Sequence, residues 1–478
     1  MSIIERKVDE VLTSYEPINK EELTRLWNEV RPSFQHQIIV LDDDPTGVQT
    51  VHGVSVYTDW TKETIENGFL EKNQIFFILT NSRAFTEKET EIVHRDIAER
   101  VEEIAQAMNK PYLIISRGDS TLRGHYPLET EVMKEAVERN GNVEMDGEIL
   151  LPFFKEGGRL TVDNIHYVQY NDTLVPAGET EFAKDRTFGY ESSHLGEWIE
   201  EKTNGTYKKE EVTYITLESI RKLDIEAISE QLMNVSSFNK VVVNALEEED
   251  VMVFSIALTL ALNKGKRFML RTAATFTKVI GGISTRPLLK RKDLIENNLR
   301  NGGLIIVGSH VQKTTAQLQE LQTVDSLHFI EFDCHLVLNK AAFKHEVDRV
   351  RKEAEEKVAH GITTVIFTKR ERLDLGEGMK EEELKLSVEI SDAVTSIVRN
   401  FEVRPNYILA KGGITSSDVG TKGLCVKRAT VAGQIAPGIP VWKTGEESTF
   451  SYIPYVIFPG NVGADTTLKE VVLELEQI

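Results

Sequence analysis

From Gln37 onward the chain repeats one pattern: a short aliphatic run, a polar or glycine-rich break, and a longer stretch whose apolar residues recur at helical spacing. The runs QIIVL, IFFIL, YLIIS and VVVNA mark the first half, and LIIVGSH, TVIFTK, YILAKGG and YVIFPGN the second. A helix between successive strands is the crossover that parallel pairing demands, so the rhythm predicts an α/β fold. At 478 residues the chain exceeds what one hydrophobic core organises. We expect two domains, each a mostly parallel sheet flanked by helices, with an active site in the cleft between them. A polar, helix-prone extension over 1–35 precedes a first domain at 36–290, the basic, strand-poor stretch Arg286–Asn301 marks the boundary, and a second domain spans 300–478. A turn-rich passage between Glu148 and Val175 predicts a hairpin inserted ahead of a helix near Leu195–Lys202. The acidic run Gly376–Glu383 reads as an exposed loop or helix start.

Composition narrows the partners. A formal charge of −20 and a pI near 5.2 argue against nucleic acid or an acidic membrane surface, because a polyanion is repelled at long range. Any anionic ligand must then be held by locally placed Arg or Lys. Cys334 and Cys425 are the two cysteines, far apart and without metal-ligand spacing, so neither a disulfide framework nor a structural zinc site is expected. The N-terminus lacks the apolar core of a signal peptide, and the longest apolar stretch, Met252–Leu262, is too short to cross a bilayer. A cytoplasmic location is expected, with a homodimer as the default assembly.

Open parallel sheets bind ligands beyond the C-terminal ends of their strands, which directs attention to the residues after each aliphatic run. In the first half these are Asp42-Asp43-Asp44-Pro45-Thr46-Gly47, Thr80-Asn81-Ser82-Arg83, and Arg117-Gly118-Asp119-Ser120-Thr121-Leu122-Arg123-Gly124. Guanidinium groups fork onto carboxylates, while Asp and Ser exchange hydrogen bonds with sugar hydroxyls, so RGDSTLRG suits a hydroxylated carboxylic acid. Arg159 and Asp185 are further candidates in the turn-rich insertion, whereas His125 and His166 read as ordinary hydrogen-bonded histidines.

The second half is different in kind. Its strand ends carry Gly308-Ser309, Gly412-Gly413 with Thr415-Ser416-Ser417, and Gly460-Asn461 with Gly463. Glycine lets backbone approach a ligand, and helix N-termini offer unpaired N–H groups to phosphate oxygens. Lys411 reads equally as a phosphate-neutralising cation or a surface lysine. Neither GxxxxGK[ST] nor a GxGxxG opening a helix occurs, which disfavours a P-loop or simple dinucleotide enzyme, and His345-Glu346 lacks the second His of HExxH.

Together these segments resemble the four-carbon acid sugar kinase family over most of the chain. Its landmarks are met by Asp43, Asp44, Thr46 and Gly47; by Ser82 and Arg83; by Arg117 with Asp119 to Gly124; by Gly158 and Arg159; and by Glu179 to Asp185. In the second half the counterparts are Gly308, Ser309 and Thr314, then Gly412, Gly413, Thr415 and Ser416, then Gly460 and Asn461. The resemblance implies a substrate-binding first domain, a nucleotide-binding second domain, and ATP-dependent phosphorylation of a small sugar acid with Mg²⁺. It implies catalytic roles for Asp43 and Asp44, substrate contacts from Ser82, Arg83, Arg117, Asp119, Ser120, Arg123 and Arg159, and nucleotide contacts from Ser309, Gly412, Gly413, Thr415, Ser416, Gly460 and Asn461. Departures fall at His310-Val311, where Cys-Ser is common, at Ile414, where Glu is common, and at Pro459, where a small polar residue is usual. An acidic contribution at 414 is thereby lost. The residues themselves leave open a dehydrogenase or lyase on sugar acids and a non-catalytic two-lobed sugar-acid binding protein.

Overall fold

The computed structural model describes residues 4–295, 300–371, 373 and 380–477, so residues 376–379 of the acidic run lie outside the described residues. The chain divides into two compact units: residues through Gly47 with Asp59–Ser284, and Val48–Thr58 with Thr285–Ile478.

In the first unit seven strands form a parallel series in the order Thr213–Ile215, Asn239–Val243, Gly147–Leu151, Phe268–Thr272, Tyr112–Arg117, Gln37–Asp42 and Ile75–Leu79. The central strands are buried on both faces, as expected of continuous aliphatic runs between helical layers. Register aligns their C-terminal ends: Asp42 lies opposite both Arg117 and Leu79, and Arg117 opposite Thr272. One flanking helix, Glu87–Met108, starts in a capping box between Thr86 and Glu89 and buries Thr90, His94, Ile97, Val101 and Ile104 at helical spacing. Helix Glu248–Asn263 is apolar nearly all round and sits in the core, which is why its sequence looks almost membrane-like. No helix of the described residues is long and apolar enough to cross a membrane.

The turn-rich insertion is larger than a hairpin. Strands Arg159–Val162, Ile165–Tyr170 and Thr173–Pro176 form an antiparallel meander, and Arg6–Lys7 from the N-terminal extension pairs with the last of them. The extension is thus part of the first unit: Lys20–Val30 packs on Glu248–Asn263, with Lys20 Nζ 2.5 Å from a Glu249 carboxylate oxygen.

The second unit orders its strands Ser55–Tyr57, Arg428–Ala436, Ile439–Thr444, Pro454–Phe458, Ile408–Lys411, Leu304–Val307, Thr364–Thr368 and His328–Phe332. The first four pair antiparallel and the rest parallel, so this sheet is mixed. Two expectations change here. Residues 48–58 leave the expected continuous stretch 36–290, because Ser55–Tyr57 hydrogen-bonds along Arg428–Thr430. An antiparallel hairpin also appears, turned at Pro437-Gly438; its first strand, Arg428–Ala436, alternates in burial, a period-two pattern that the sequence reading did not pick out. Lys411 aligns with Val307 and Phe458, which places the glycine turns side by side.

Candidate active site

Parallel register brings three polar strand ends of the first unit together. The Arg83 guanidinium forks onto the Asp43 carboxylate at 2.7 and 3.1 Å, and its remaining Nη1 lies 2.8 Å from Asp44. Arg117, almost wholly buried, stands between Asp42 and Asp43 at 3.4 and 3.5 Å. Arg123 Nε donates to Asp119 at 2.7 Å, and Asp185 approaches the same guanidinium at 3.8 Å. Across the face of Phe182 lie two cations, Arg123 at 5.1 Å and Arg159 at 5.5 Å from the ring centre.

These surroundings split the aspartate run. Burial pushes Asp42 well above the usual carboxyl range and Asp43 upward as well, against the opposing pull of Arg117 and Arg83. At Asp44 burial acts in the same sense but is outweighed by Arg83, Arg117 and the hydrogen bonds from Thr46, so this carboxyl is held low. Asp119 is also held low, Arg83 and Arg123 overcoming its burial. Environments that drive neighbouring acids apart are those in which acids take different roles. Asp44 is also the more accessible of its pair, with 23% of its side chain exposed against 3% for Asp43.

Arg159 differs from its neighbours. Among the described residues it has no carboxylate partner; its Nη1 donates to the Gly157 carbonyl, and its buried Nε has no hydrogen-bond acceptor. Burial lowers its pKa, with Asp119 opposing. Ser82 is placed otherwise than expected: its hydroxyl is fully buried and donates to Glu129 at 2.9 Å. The Ser120 carbonyl accepts from His166 Nε2 at 2.7 Å, while His166 Nδ1 meets Thr161, so that histidine is structural, as is His125 against the Phe85 carbonyl.

Two residues of this cluster escaped sequence reasoning. Arg271, at the end of strand Phe268–Thr272, contacts Glu129, donates to Ser116 Oγ at 2.9 Å and to the Arg123 carbonyl at 3.1 Å. Glu129, on helix Leu128–Gly141, is buried and held below its ordinary range because Arg271, His94 and the hydrogen bonds from Ser82 and Ser116 together outweigh its burial. An Arg behind an aliphatic strand and a Glu in a helix carried no distinguishing signal; only the fold brings them together.

In the second unit the turns Gly308-Ser309, Gly412-Gly413 and Gly460-Asn461 follow neighbouring strands. Thr415 sits over Gly308, and Gly412 has φ +130°, a conformation that side chains disfavour. Among the described residues nothing beyond its own helix and chain neighbours lies within 4 Å of where a Gly413 Cβ would stand, so that backbone faces open space, and Asn461 is exposed beside Gly460. Ser416 is buried with its hydroxyl on the Ala410 carbonyl and supports the turn from behind. Lys411 is not a surface lysine. It is buried and donates to the Pro459 and Gly460 carbonyls at 2.5 and 2.9 Å, and burial with nearby Lys313 lowers its pKa to about 7. Its work is to join two turns. Arg370, missed in the sequence, donates to the Ser309 carbonyl at 2.6 Å and to Thr315 Oγ1 at 2.9 Å, and lines a cavity of about 400 Å³ with His310, Val311 and Cys334.

Comparison with known proteins agrees with this division. Residues 38–280 match a family model described as a sugar-binding N-terminal domain, and residues 304–468 one described as a nucleotide-binding C-terminal domain. A D-erythronate kinase of Heliobacterium modesticaldum (strain ATCC 51547 / Ice1) is 23% identical over 329 residues, covering 66% of this chain and 67% of that protein. Two crystal structures share the fold. One, from Salmonella typhimurium LT2 and provisionally described as a tRNA synthase, has a TM-score of 0.66 at 13% identity, covering 90% of this chain and 98% of that one. The other, a Haemophilus influenzae protein of the DUF1537 family, has a TM-score of 0.62 at 14% identity, covering 91% and 100%.

Proposed function

The chain belongs to the four-carbon acid sugar kinase family, and on that premise we propose that it transfers the γ-phosphoryl group of ATP to a terminal hydroxyl of a tetronate or 3-oxo-tetronate. The observation that carries the reading is Arg159. Every other guanidinium of the cluster, Arg83, Arg117, Arg123 and Arg271, lies against an Asp or Glu, whereas Arg159 has no such partner among the described residues. A half-buried guanidinium without an ion-pair partner is costly and is matched by a ligand carboxylate, which it can grip with two hydrogen bonds. Arg123 and Asp119 flank it and supply donors and acceptors for the acid's hydroxyls. Asp44, ionised and accessible, accepts the hydrogen bond of the attacking hydroxyl, and Asp43 with Arg83 holds Asp44 in place.

The turns at Ser309, Gly412-Gly413, Thr415 and Gly460-Asn461 receive the nucleotide phosphates through backbone N–H groups and hydroxyls. Among the described residues no three His, Cys, Asp or Glu side chains form a metal cage. Mg²⁺ is commonly bound through few protein groups together with substrate phosphates, and the Ser309 and Thr415 hydroxyls are among the neutral oxygens at these turns that could assist it. When bound, Mg²⁺ would neutralise phosphate charge, and the residues of this chain would contribute positioning, with hydroxyl and γ-phosphorus in line. The same reading makes this a cytoplasmic enzyme, in keeping with two free cysteines.

A coupled ADP-release assay over erythronate, threonate, their 3-oxo forms, a branched sugar acid and five-carbon acids, with and without Mg²⁺, tests the proposal. Mg²⁺-dependent ADP release with a four-carbon acid is expected. Release confined to a branched or five-carbon acid moves the substrate assignment, and acid binding without ADP release identifies a sugar-acid binding protein instead.

A further inference from the structure

We propose that the buried Arg271–Glu129 pair is a positioning device that sets the acid-binding loops in register, a role that rests on the kinase reading above. Both side chains are almost wholly buried, at 5% and 2% exposure. Through them three separate strand ends are joined. Glu129 accepts from Ser82, one residue before Arg83, and from Ser116, one residue before Arg117, at 2.9 and 3.0 Å. Arg271 donates to Ser116 and to the backbone carbonyl of Arg123. The three arginines that order Asp42, Asp43, Asp44 and Asp119 are therefore each one residue or one backbone bond from this pair.

The loop is shaped around the Arg271 guanidinium. A Cβ at Gly118 would stand 2.1 Å from Arg271 Cζ, and one at Gly124 would stand 2.6 Å from its Nη2. Both glycines of RGDSTLRG are thus explained by a side chain more than 140 residues away in sequence. Buried ion pairs add little stability relative to apolar residues of similar volume, and their best-attested use is to fix one arrangement among several. A planar five-donor fork reaching a carboxylate, a hydroxyl and a carbonyl does this in a way that an ammonium group cannot.

The experiment compares wild type with Arg271→Lys, Gly118→Ala and Glu129→Gln, measuring KM for the acid, KM for ATP, kcat and the thermal midpoint. Arg271→Lys keeps the charge but loses the fork. We expect its acid KM to rise at least tenfold with the ATP KM unchanged within twofold, and Gly118→Ala, which displaces the guanidinium, to behave alike. Added to Arg123→Ala, Arg271→Lys should raise acid KM by less than twofold further, because its effect passes through that loop. A lowered midpoint with both Michaelis constants unchanged shows a purely structural pair and overturns the proposal, as does an equal rise in both constants. Should Arg271→Lys fail to fold, Gly118→Ala and Glu129→Gln carry the same comparison. Absence of ADP release from wild type would mark failure of the kinase reading instead; the variants are then compared by calorimetric binding of the acid, with the same tenfold criterion.

Discussion

At the scale of single residues, the aspartate run shows how one triplet acquires unlike roles. Asp44→Asn removes the accessible, ionised acid while keeping shape and the cap on Thr46, so kcat should fall about 100-fold or more with the thermal midpoint little changed. Asp43→Asn weakens the Arg83 fork in a buried place and should lower stability by about 1–3 kcal/mol together with activity. Equal kinetic losses and equal stability losses in the two variants would refute the division. Arg159→Gln should raise acid KM about 10- to 100-fold, or about 1.4–2.8 kcal/mol, and leave ATP KM alone. His166 supplies a pH test. Burial lowers its pKa to about 4, while the unfolded chain takes up that proton near 6.5. Between those values the unfolded state binds more protons, so stability falls as pH drops through the window, by about 3 kcal/mol at full expression. His166→Gln should flatten that limb in urea midpoints measured between pH 7 and 4.

Elements set which of these residues can meet. A parallel series with Asp42, Arg117 and Thr272 in register delivers their following loops to one edge, and a one-residue slip of any strand would reverse its side chains and scatter the cluster. In the second unit the element that matters is the turn before helix Gly413–Asp418. Because no other described residue comes within 4 Å of a Gly413 Cβ beyond its own helix and chain neighbours, Gly413→Val should leave the folded protein's own packing intact. A rise in ATP KM of about tenfold with an unchanged acid KM therefore reports the approach of the nucleotide. An unaltered ATP KM would remove this turn from the phosphate site.

For the whole molecule, the chain's division into units is not a single cut. Residues 48–58 donate the strand that pairs with Arg428–Thr430, so a fragment beginning at 285 carries an uncovered strand edge. Such a fragment should express as aggregate, and supplying residues 48–58 should raise its soluble yield; equal solubility with and without them would contradict the assignment. The alternation of aliphatic runs and helical segments determined by itself the α/β class and the position of eight strands that pair parallel, since burial on both faces demands uninterrupted apolar runs; the parallel strands Gly147–Leu151, Thr213–Ile215, Phe268–Thr272 and His328–Phe332 emerged only in the fold, the first of them from a passage that reads as turn-rich. It also disclosed the acidic and glycine-rich strand ends, because ligand-facing loops need those residue types in order. Tertiary structure alone decided the rest. Ser82 and Ser416 face inward, Lys411 ties two turns, Arg271 fills the space of two distant glycines, and Arg159 is the guanidinium of the acid cluster without a carboxylate partner among the described residues. Those outcomes depend on which side chains share one volume, and pairings between residues far apart in sequence leave no local periodicity to read.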